Sequence, residues 1–596
     1  MIAVIVLLPL LLGMLAVALI RSMSKIRYAA IIAGAASLAL LPLVNYGTTT
    51  LPWLLIAGSD IGVTISLTPL SLMLLSIVLL IGLFVLIYSA GYMESVLDHR
   101  RFYLEMLAFE AAMATFAVSG NFITLFIAWE FLSLTSYLLI GFLHNRNSAI
   151  RAARKALTIV FIGDLTLIGS IVLFWHVFGT LEFAQIISMA GAVHSIDLYI
   201  AVLLLLIAIF TKSAQFPFHE WLIDAMEGPT PVSAYLHSST MVKAGVFAAI
   251  LLYPLFAAPD VSWIIFTASA VTLVLSTLAA AREMHVKKVI AYSTIQELSI
   301  MMLAISSGAV LAAIYFFFVQ SFYKALLFFG SGVAMEATGR ENLDEVNGFG
   351  ARKLAYLSTL FGVLSLAGFV PFSGFFSNTG ISSSLTGNLP AYALLSGVAV
   401  LTSFYIVRWF SYLSRNDKRS ASYAPNYLTM PRSMVYPMAV LAALTLAASA
   451  VFFSISTFLS AGSYLSYLPV QSPLSISATD GALFTVLIAV GAVLSYMVYY
   501  RRSIKSGIGS LNRIIYTGPI MNWSYHVVAV ITSGLSAGIS EFDSRLNDFF
   551  DSMGITTVRA GYGIRRVSVG SINTYAAIFI LGILALFISF YYLVIV

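Results

Sequence analysis

The sequence predicts an all-α polytopic membrane protein with about sixteen transmembrane helices. Three observations carry this. Of 596 residues, 60% are hydrophobic and only 9% are charged, whereas a soluble domain carries about 25% charged residues. Apolar runs of roughly 20 residues, enough to cross a bilayer as helices, recur from end to end, and an outer-membrane barrel has no such runs. Basic residues fall in alternate loops, as expected of a chain threading back and forth through a membrane.

The runs place spans near 2–20, 28–45, 68–93, 104–119, 121–143, 157–178, 196–213, 232–254, 261–280, 287–306, 311–337, 354–377, 391–413, 434–459, 480–500 and 573–595. Arg21, Lys25 and Arg27 follow the first span, Arg100 and Arg101 the third, and Arg146, Arg151, Arg154 and Lys155 the fifth. Lys287 and Lys288 sit after the ninth, Arg352 and Lys353 after the eleventh, Lys418 and Arg419 after the thirteenth, and Arg501 and Arg502 after the fifteenth. The stretches 46–67, 179–195, 255–260, 378–390 and 460–479 contain no Lys or Arg and are read as loops on the other side. The positive-inside rule puts the basic loops in the cytoplasm and both termini outside. The first span has no basic segment before it, so it is read as a retained helix.

Residues 503–570 differ from the rest. Val527, Ile531, Leu535, Ile539, Phe542, Leu546 and Phe549 recur at three- and four-residue steps. This predicts an amphipathic helix over Asn522–Phe550, lying along the membrane or along other helices; an ordinary cytoplasmic loop helix is the other reading. The expected divisions are 1–103, a five-span group at 104–254, a second at 261–413, core helices at 434–500, the lateral segment at 503–570 and a terminal anchor at 573–596.

The chain has no cysteine, which excludes thiolate-ligated clusters, disulfides and cysteine nucleophiles. It has no Walker loop, no zinc spacing and no hydrolase constellation. No cofactor or metal is expected in this chain, and no nucleic-acid partner: the net charge of +6 is explained by membrane orientation.

The candidate chemistry lies in the few charges at membrane depth. Lys212, Lys243, Lys324 and Arg408 sit inside predicted spans, and a charge there is costly enough to be a functional hypothesis by default. A lysine or arginine near a helix end can instead snorkel to the surface, which is a reading open to Lys212 and Arg408. The stretch 211–246 concentrates the signal: it holds Lys212, His237 and Lys243, and Pro217, Pro229 and Pro231 interrupt its helical pattern. Broken helices at membrane depth occur where protein covers the backbone or water lines it. Pro371-Phe372 repeats the Pro217-Phe218 break near the end of the second five-span group.

Glu130, in FIAWEFLSL, is the expected partner of Lys212, and a carboxylate moving toward or away from an ammonium changes which group holds the proton. His237 fits either a proton carrier or a hydrogen-bonded core residue. Phe316, Gln320 and Lys324 share one helix stripe at four-residue spacing. Asp164, Glu110 and Glu297 are further acids at or near membrane depth, with Glu297 expected close to a helix end.

Five stretches carry a family resemblance: YSAGYM (88–93), WEFLSLTSYLLIGF (129–142), KSAQFPFHEWLIDAMEGPTPVSAYLHSSTMVKAGV (212–246), KKVIAYSTIQELS (287–299) and FYKALLFFGSG (322–332). The chain resembles the antiporter-like L subunit of respiratory complex I, whose fold the large subunit of Mrp sodium/proton antiporters shares. The resemblance implies fourteen core helices in two inverted five-helix repeats, each with a broken helix, followed by a lateral helix and its anchor. It implies a proton relay of Glu130, Lys212, His237 and Lys324, with Lys243 as a further member; Asp164, Gln320, Glu297 and Asn378 are the supporting candidates by residue type and position. It also implies a prokaryotic cell membrane and partner membrane subunits of a quinone oxidoreductase. The alternatives are a structural subunit that has lost pumping, a cation/proton antiporter with sodium as the second ion, and a membrane-hydrogenase subunit. Three positions depart from the family pattern: Gln320 and Phe316 stand where histidines are usual, Asn378-Thr379 where a lysine and an acid are usual, and Phe161 where an arginine is usual.

Overall fold

The computed structural model describes residues 2–56, 59–94, 98–191, 193, 195–415, 430–460 and 474–499. The expected lateral helix and terminal anchor lie outside these residues. The chain divides into two compact units, residues 1–51 with 62–500 and residues 52–61 with 501–596.

Among the described residues, ten helices are long and apolar enough to cross a membrane, and the chain is an integral membrane protein. The first elements are α1 (Ile2–Leu19), α2 (Met23–Leu40), α3 (Pro69–Tyr92), α4 (His99–Ala117), α5 (Phe122–Ile140) and α6 (Asn147–Phe178). They follow the apolar runs closely. The basic residues Arg151, Arg154 and Lys155, read as loop, instead form the first turns of α6. Between α2 and α3 the expected loop contains a two-stranded sheet, β1 (Gly47–Ile56) and β2 (Ser59–Leu67). Thr48 and Thr50 lie opposite Ser66 and Thr64, their hydroxyls 3.0 and 3.1 Å apart. β-Branched residues suit such a pairing.

The short α7 (Phe183–Ala190) leads to α8 (Ile196–Lys212), which ends at the lysine itself. Ala214 adopts φ 50, and Pro217 has no N–H with which to resume the helix. After α9 (Glu220–Asp224) come α10 (Thr230–Ser238), α11 (Met241–Leu251) and α12 (Tyr253–Phe256). The span expected over 232–254 is therefore broken at Ser239–Thr240. Hydroxyls there compete with the ladder: Ser238 donates to the Ala234 carbonyl and Thr240 to the Tyr235 carbonyl.

The second half comprises α13 (Pro259–Arg282), α14 (Val286–Ser306), α15 (Val310–Thr338), α16 (Lys353–Ala367), α17 (Ser373–Ser384), α18 (Leu389–Leu413), α19 (Arg432–Ala447), α20 (Ile455–Leu459) and α21 (Ala478–Tyr499). The span expected over 354–377 is broken at Gly368, whose φ is 86, and at Pro371. Phe216-Pro217 and Val370-Pro371 are both cis. Helices α14 and α15 are buried along most of their length, while α1 exposes leucines, α2 exposes Tyr28 and Ile32, and α21 exposes leucines and valines. Arg408 does not snorkel. It is buried, and its guanidinium donates to the carbonyls of Ala280 and Glu283 at the C-terminal end of α13, where a cation complements the helix dipole.

Close approach at the second break depends on Gly374. A Cβ there would lie 1.7 Å from the Ser365 carbonyl oxygen, so α17 turns directly against the end of α16. Gly374→Val should cost about 1–3 kcal/mol through overpacking and lower the melting temperature in detergent. Gly397→Val on α18, where nothing lies within 4 Å of the added Cβ, is the control. Equal melting temperatures for the two variants would show that the approach is not required.

Candidate functional site: a row of buried lysines

Every lysine of the row donates to a serine on a neighbouring helix. At the end of α8, Lys212 Nζ donates to Ser133 Oγ at 2.6 Å and to the Trp129 carbonyl at 3.1 Å, and lies 4.7 Å from the centre of the Trp129 ring. Asp164 on α6 completes this centre: its carboxylate accepts from Trp129 Nε1 at 2.7 Å and from Ser133 Oγ at 3.2 Å. The hydroxyl of Ser133 thus bridges ammonium and carboxylate. The expected pairing of Lys212 with Glu130 takes a different form, since Lys212 donates to Ser133 and Trp129 instead. Glu130 is half-buried, and its Oε1 has no hydrogen-bond partner among the described residues. The reason is helix phase: Trp129 and Ser133 are four apart and share the face toward α6 and α8, while Glu130 is rotated by about 100° from Trp129.

His237 lies in the last turn of α10, fully buried, with the Trp221 and Phe328 rings 6.2 and 6.3 Å away. Neither ring nitrogen has a hydrogen-bond partner among the described residues. A core histidine kept for structure is ordinarily hydrogen-bonded to protein or ordered water.

Lys243 lies just beyond the break, in the first turn of α11. It reaches α15, donating to the Phe317 carbonyl and to Ser321 Oγ, both at 2.5 Å. Ser321 is three residues before Lys324 on the same helix. Lys324 Nζ then donates to Ser293 Oγ at 2.5 Å and pairs with Glu297 Oε2 at 2.9 Å. Gln320 Nε2 and the Tyr323 hydroxyl donate to the two oxygens of Glu297 at 3.1 and 2.9 Å. Glu297, expected near a helix end, lies in the middle of α14 and is buried, and it is the direct ion-pair partner that Lys212 lacks.

Asn378 lies on α17. With Gln296 and Glu297 it lines a narrow cleft of about 10 Å³ between α14, α16, α17, α18 and α21, room for about one water. Thr379 turns away, its hydroxyl donating to the Phe375 carbonyl. Phe316 is buried among apolar residues and contributes no polar atom.

Two features are not legible in the sequence. The serines Ser133, Ser293 and Ser321 are ordinary residues of helical spans, and only their recurrence one turn from a charged or aromatic residue could flag them. Lys287, assigned to a basic loop, is buried at the start of α14, where it donates to the Gly228 carbonyl at 2.9 Å. Beside it, His285 and Arg146 approach Glu341 to 3.4 and 3.9 Å, and the bond from His285 holds the Glu341 carboxyl down at about 2. Glu110 is buried against Gly82 of α3, where an added Cβ would lie 2.6 Å from Glu110 Oε1 and 2.8 Å from the Tyr235 hydroxyl.

The sequence pattern described as NADH:quinone oxidoreductase/Mrp antiporter, transmembrane, matches residues 119–405, and that of the N-terminus of complex I chain 5 matches residues 53–103. The chain is similar to chloroplastic NAD(P)H-quinone oxidoreductase subunit 5 of Poa pratensis, 34% identical over 62% of this chain and 55% of the relative. It is also similar to a Na(+)/H(+) antiporter subunit of Alkalihalophilus pseudofirmus, 34% identical over 55% of this chain and 43% of the relative. The matched region spans about half the length of these relatives. In fold, the chain resembles one chain of the Mrp complex from Dietzia sp. DQ12-45-1b, with a TM-score of 0.71 at 24% identity over 96% of this chain and 64% of that one. It resembles a chain of an archaeal membrane-bound sulfane sulfur reductase with a TM-score of 0.67 at 18% identity, over 82% of this chain and 98% of that one. The buried lysines lie within the matched region, and the chain belongs to the antiporter-like family of membrane subunits shared by NADH:quinone oxidoreductases and Mrp antiporters.

Proposed function

We propose that this chain carries protons through the membrane as the antiporter-like subunit of a complex I-like quinone oxidoreductase. The observation that carries the reading is the row Lys212, Lys243 and Lys324, each fully buried and each donating to a serine hydroxyl on another helix. Buried charge is costly and is retained in membranes for pathways. A hydroxyl both donates and accepts, so each serine can relay a proton that an apolar side chain would block. Asp164 balances the first lysine, Glu297 pairs with the third, and His237 stands between the halves with both nitrogens free to bond water.

In this reading Glu130 exchanges protons with the Lys212 centre, and Glu297 replaces the missing histidines of α15 as the partner of Lys324. Basic loops face the cytoplasm and both termini face outside. Quinone and donor chemistry belong to those partners.

The test is vesicles holding the purified assembly, supplied with its electron donor and a quinone. Proton uptake is followed by a pH-sensitive dye. Uptake should depend on donor oxidation, collapse with a protonophore and persist without sodium. Proton flux driven by a sodium gradient without donor would replace this reading with a cation antiporter. Full turnover with no proton movement attributable to this chain would replace it with a structural role.

A further inference from the structure

The cleft beside Glu297 has a polar cluster one helical turn beyond its rim. Asp480, in the first turn of α21, is buried although it follows Ser477 and Thr479 at the start of the helix. Its Oδ1 accepts from the Tyr392 hydroxyl at 2.6 Å. Its Oδ2 accepts from Ser383 Oγ at 2.7 Å and from Ser477 Oγ at 2.8 Å. Three helices bring these groups together, and the same three line the cleft. On α21, Asp480 is one turn from the cleft residue Phe484. On α18, Tyr392 is one turn from the cleft residue Leu395. On α17, Ser383 is five residues past the cleft residue Asn378. One turn is about 5.4 Å, so the cluster is the next polar layer after the cleft, toward the membrane face at which α17 ends and α18 and α21 begin. The Tyr392 and Phe484 rings meet edge to face, 6.5 Å between centres, so the residue whose hydroxyl donates to Asp480 packs against a ring that lines the cleft.

We infer that Asp480, with Tyr392 and Ser383, is the proton-release port of the second half, replacing the titratable pair absent at Asn378-Thr379. The inference rests on the proposed proton pathway and extends it past Glu297. The transfer balances simply: the O–H bond at the Glu297 carboxyl breaks, and the proton crosses water in the cleft. An O–H bond then forms at the Asp480 carboxylate, which passes the proton to external water and regains its charge. Asn378 orients water in the cleft by donating and accepting without titrating. Tyr392 is a positioning residue that sets the opening between the two carboxyls.

The test uses the full assembly in vesicles. Asp480→Asn should slow this chain's proton flux about tenfold, less than the 10²–10⁴ of a positioned proton-transfer group at a reacting centre, because water carries part of the flux. A small permeant carboxylic acid added outside should restore it, which a purely structural loss would not allow. Because the chain has no cysteine, Asp480→Cys gives a single thiol. It should react with impermeant reagents from the outside only, and an anionic adduct should recover flux that a cationic adduct does not. Labelling from the cytoplasmic side only, or full flux in Asp480→Asn, overturns the port. If Asp480→Asn fails to assemble, the labelling side and adduct dependence of Asp480→Cys decide alone. Glu297→Gln separates the two levels: loss of flux there with full flux in Asp480→Asn leaves the pathway standing and removes the port, while full flux in both removes the second-half pathway itself.

Discussion

Lys324→Ala should reduce the proton flux through this chain by at least about a hundredfold while the assembly still purifies intact. Lys324 is fully buried and is the ion-pair partner of Glu297. Removing one partner of a buried pair leaves the other charge uncompensated, and loss of a positioned proton-transfer group slows transfer by about 10²–10⁴-fold. Gln320 and Tyr323 would still bind Glu297, so the fold is retained while the two-group exchange is lost. Glu297→Gln should give the same loss by a different route, since the amide keeps a side chain of the same shape and cannot carry a proton. Flux is read as dye quenching per donor oxidised, and assembly as co-purification of partner subunits. Unchanged stoichiometry in both variants would mean that protons leave without using the second half.

The second large effect separates two carboxyls that the sequence does not rank. Asp164→Asn should destabilise the first half by about 3–5 kcal/mol, because it removes the acid linked to buried Lys212 through Ser133 and Trp129. Glu130→Gln should leave the melting temperature unchanged, since Glu130 Oε1 has no partner to lose among the described residues, yet it should lower proton flux at least about tenfold. The division is between an acid that holds a charge in place and an acid free to exchange. Thermal unfolding in detergent measures the first effect and vesicle flux the second. If Glu130→Gln lowers the melting temperature as much as Asp164→Asn, or if it leaves flux intact, this division of roles is wrong.

Much of the architecture is legible in the sequence because hydrophobic length and loop charge are both one-dimensional. A run long enough to span must form a helix in lipid, where every backbone group needs an internal partner. That is why the positions of α1, α3, α5, α8 and α18 follow from composition alone. The prolines announce the breaks at Pro217 and Pro371 for the same reason: a missing N–H is visible in the sequence. Lys212, Lys243 and Lys324 are equally plain, since an ammonium amid aliphatic residues needs no tertiary information to be conspicuous.

Partners are a different matter, because they depend on helix rotation and on which helices touch. Glu130 and Trp129 are adjacent in sequence, but only the phase of α5 decides that Trp129 and Ser133 face Lys212. Glu297 looks peripheral until α14 and α15 pack together and place it against Lys324. Arg408 has the composition of a snorkelling residue, and the end of α13 turns it into a buried cap. Asp480 is remote from Glu297 in sequence, and only the convergence of α17, α18 and α21 brings it within one helical turn of a residue of the cleft that Glu297 lines. The sequence by itself determined where the long apolar helices lie and marked Lys212, Lys243 and Lys324 as charges at membrane depth. The tertiary structure decided which groups each charge meets, because a hydrogen bond acts over about 3 Å and helix packing alone sets distances on that scale.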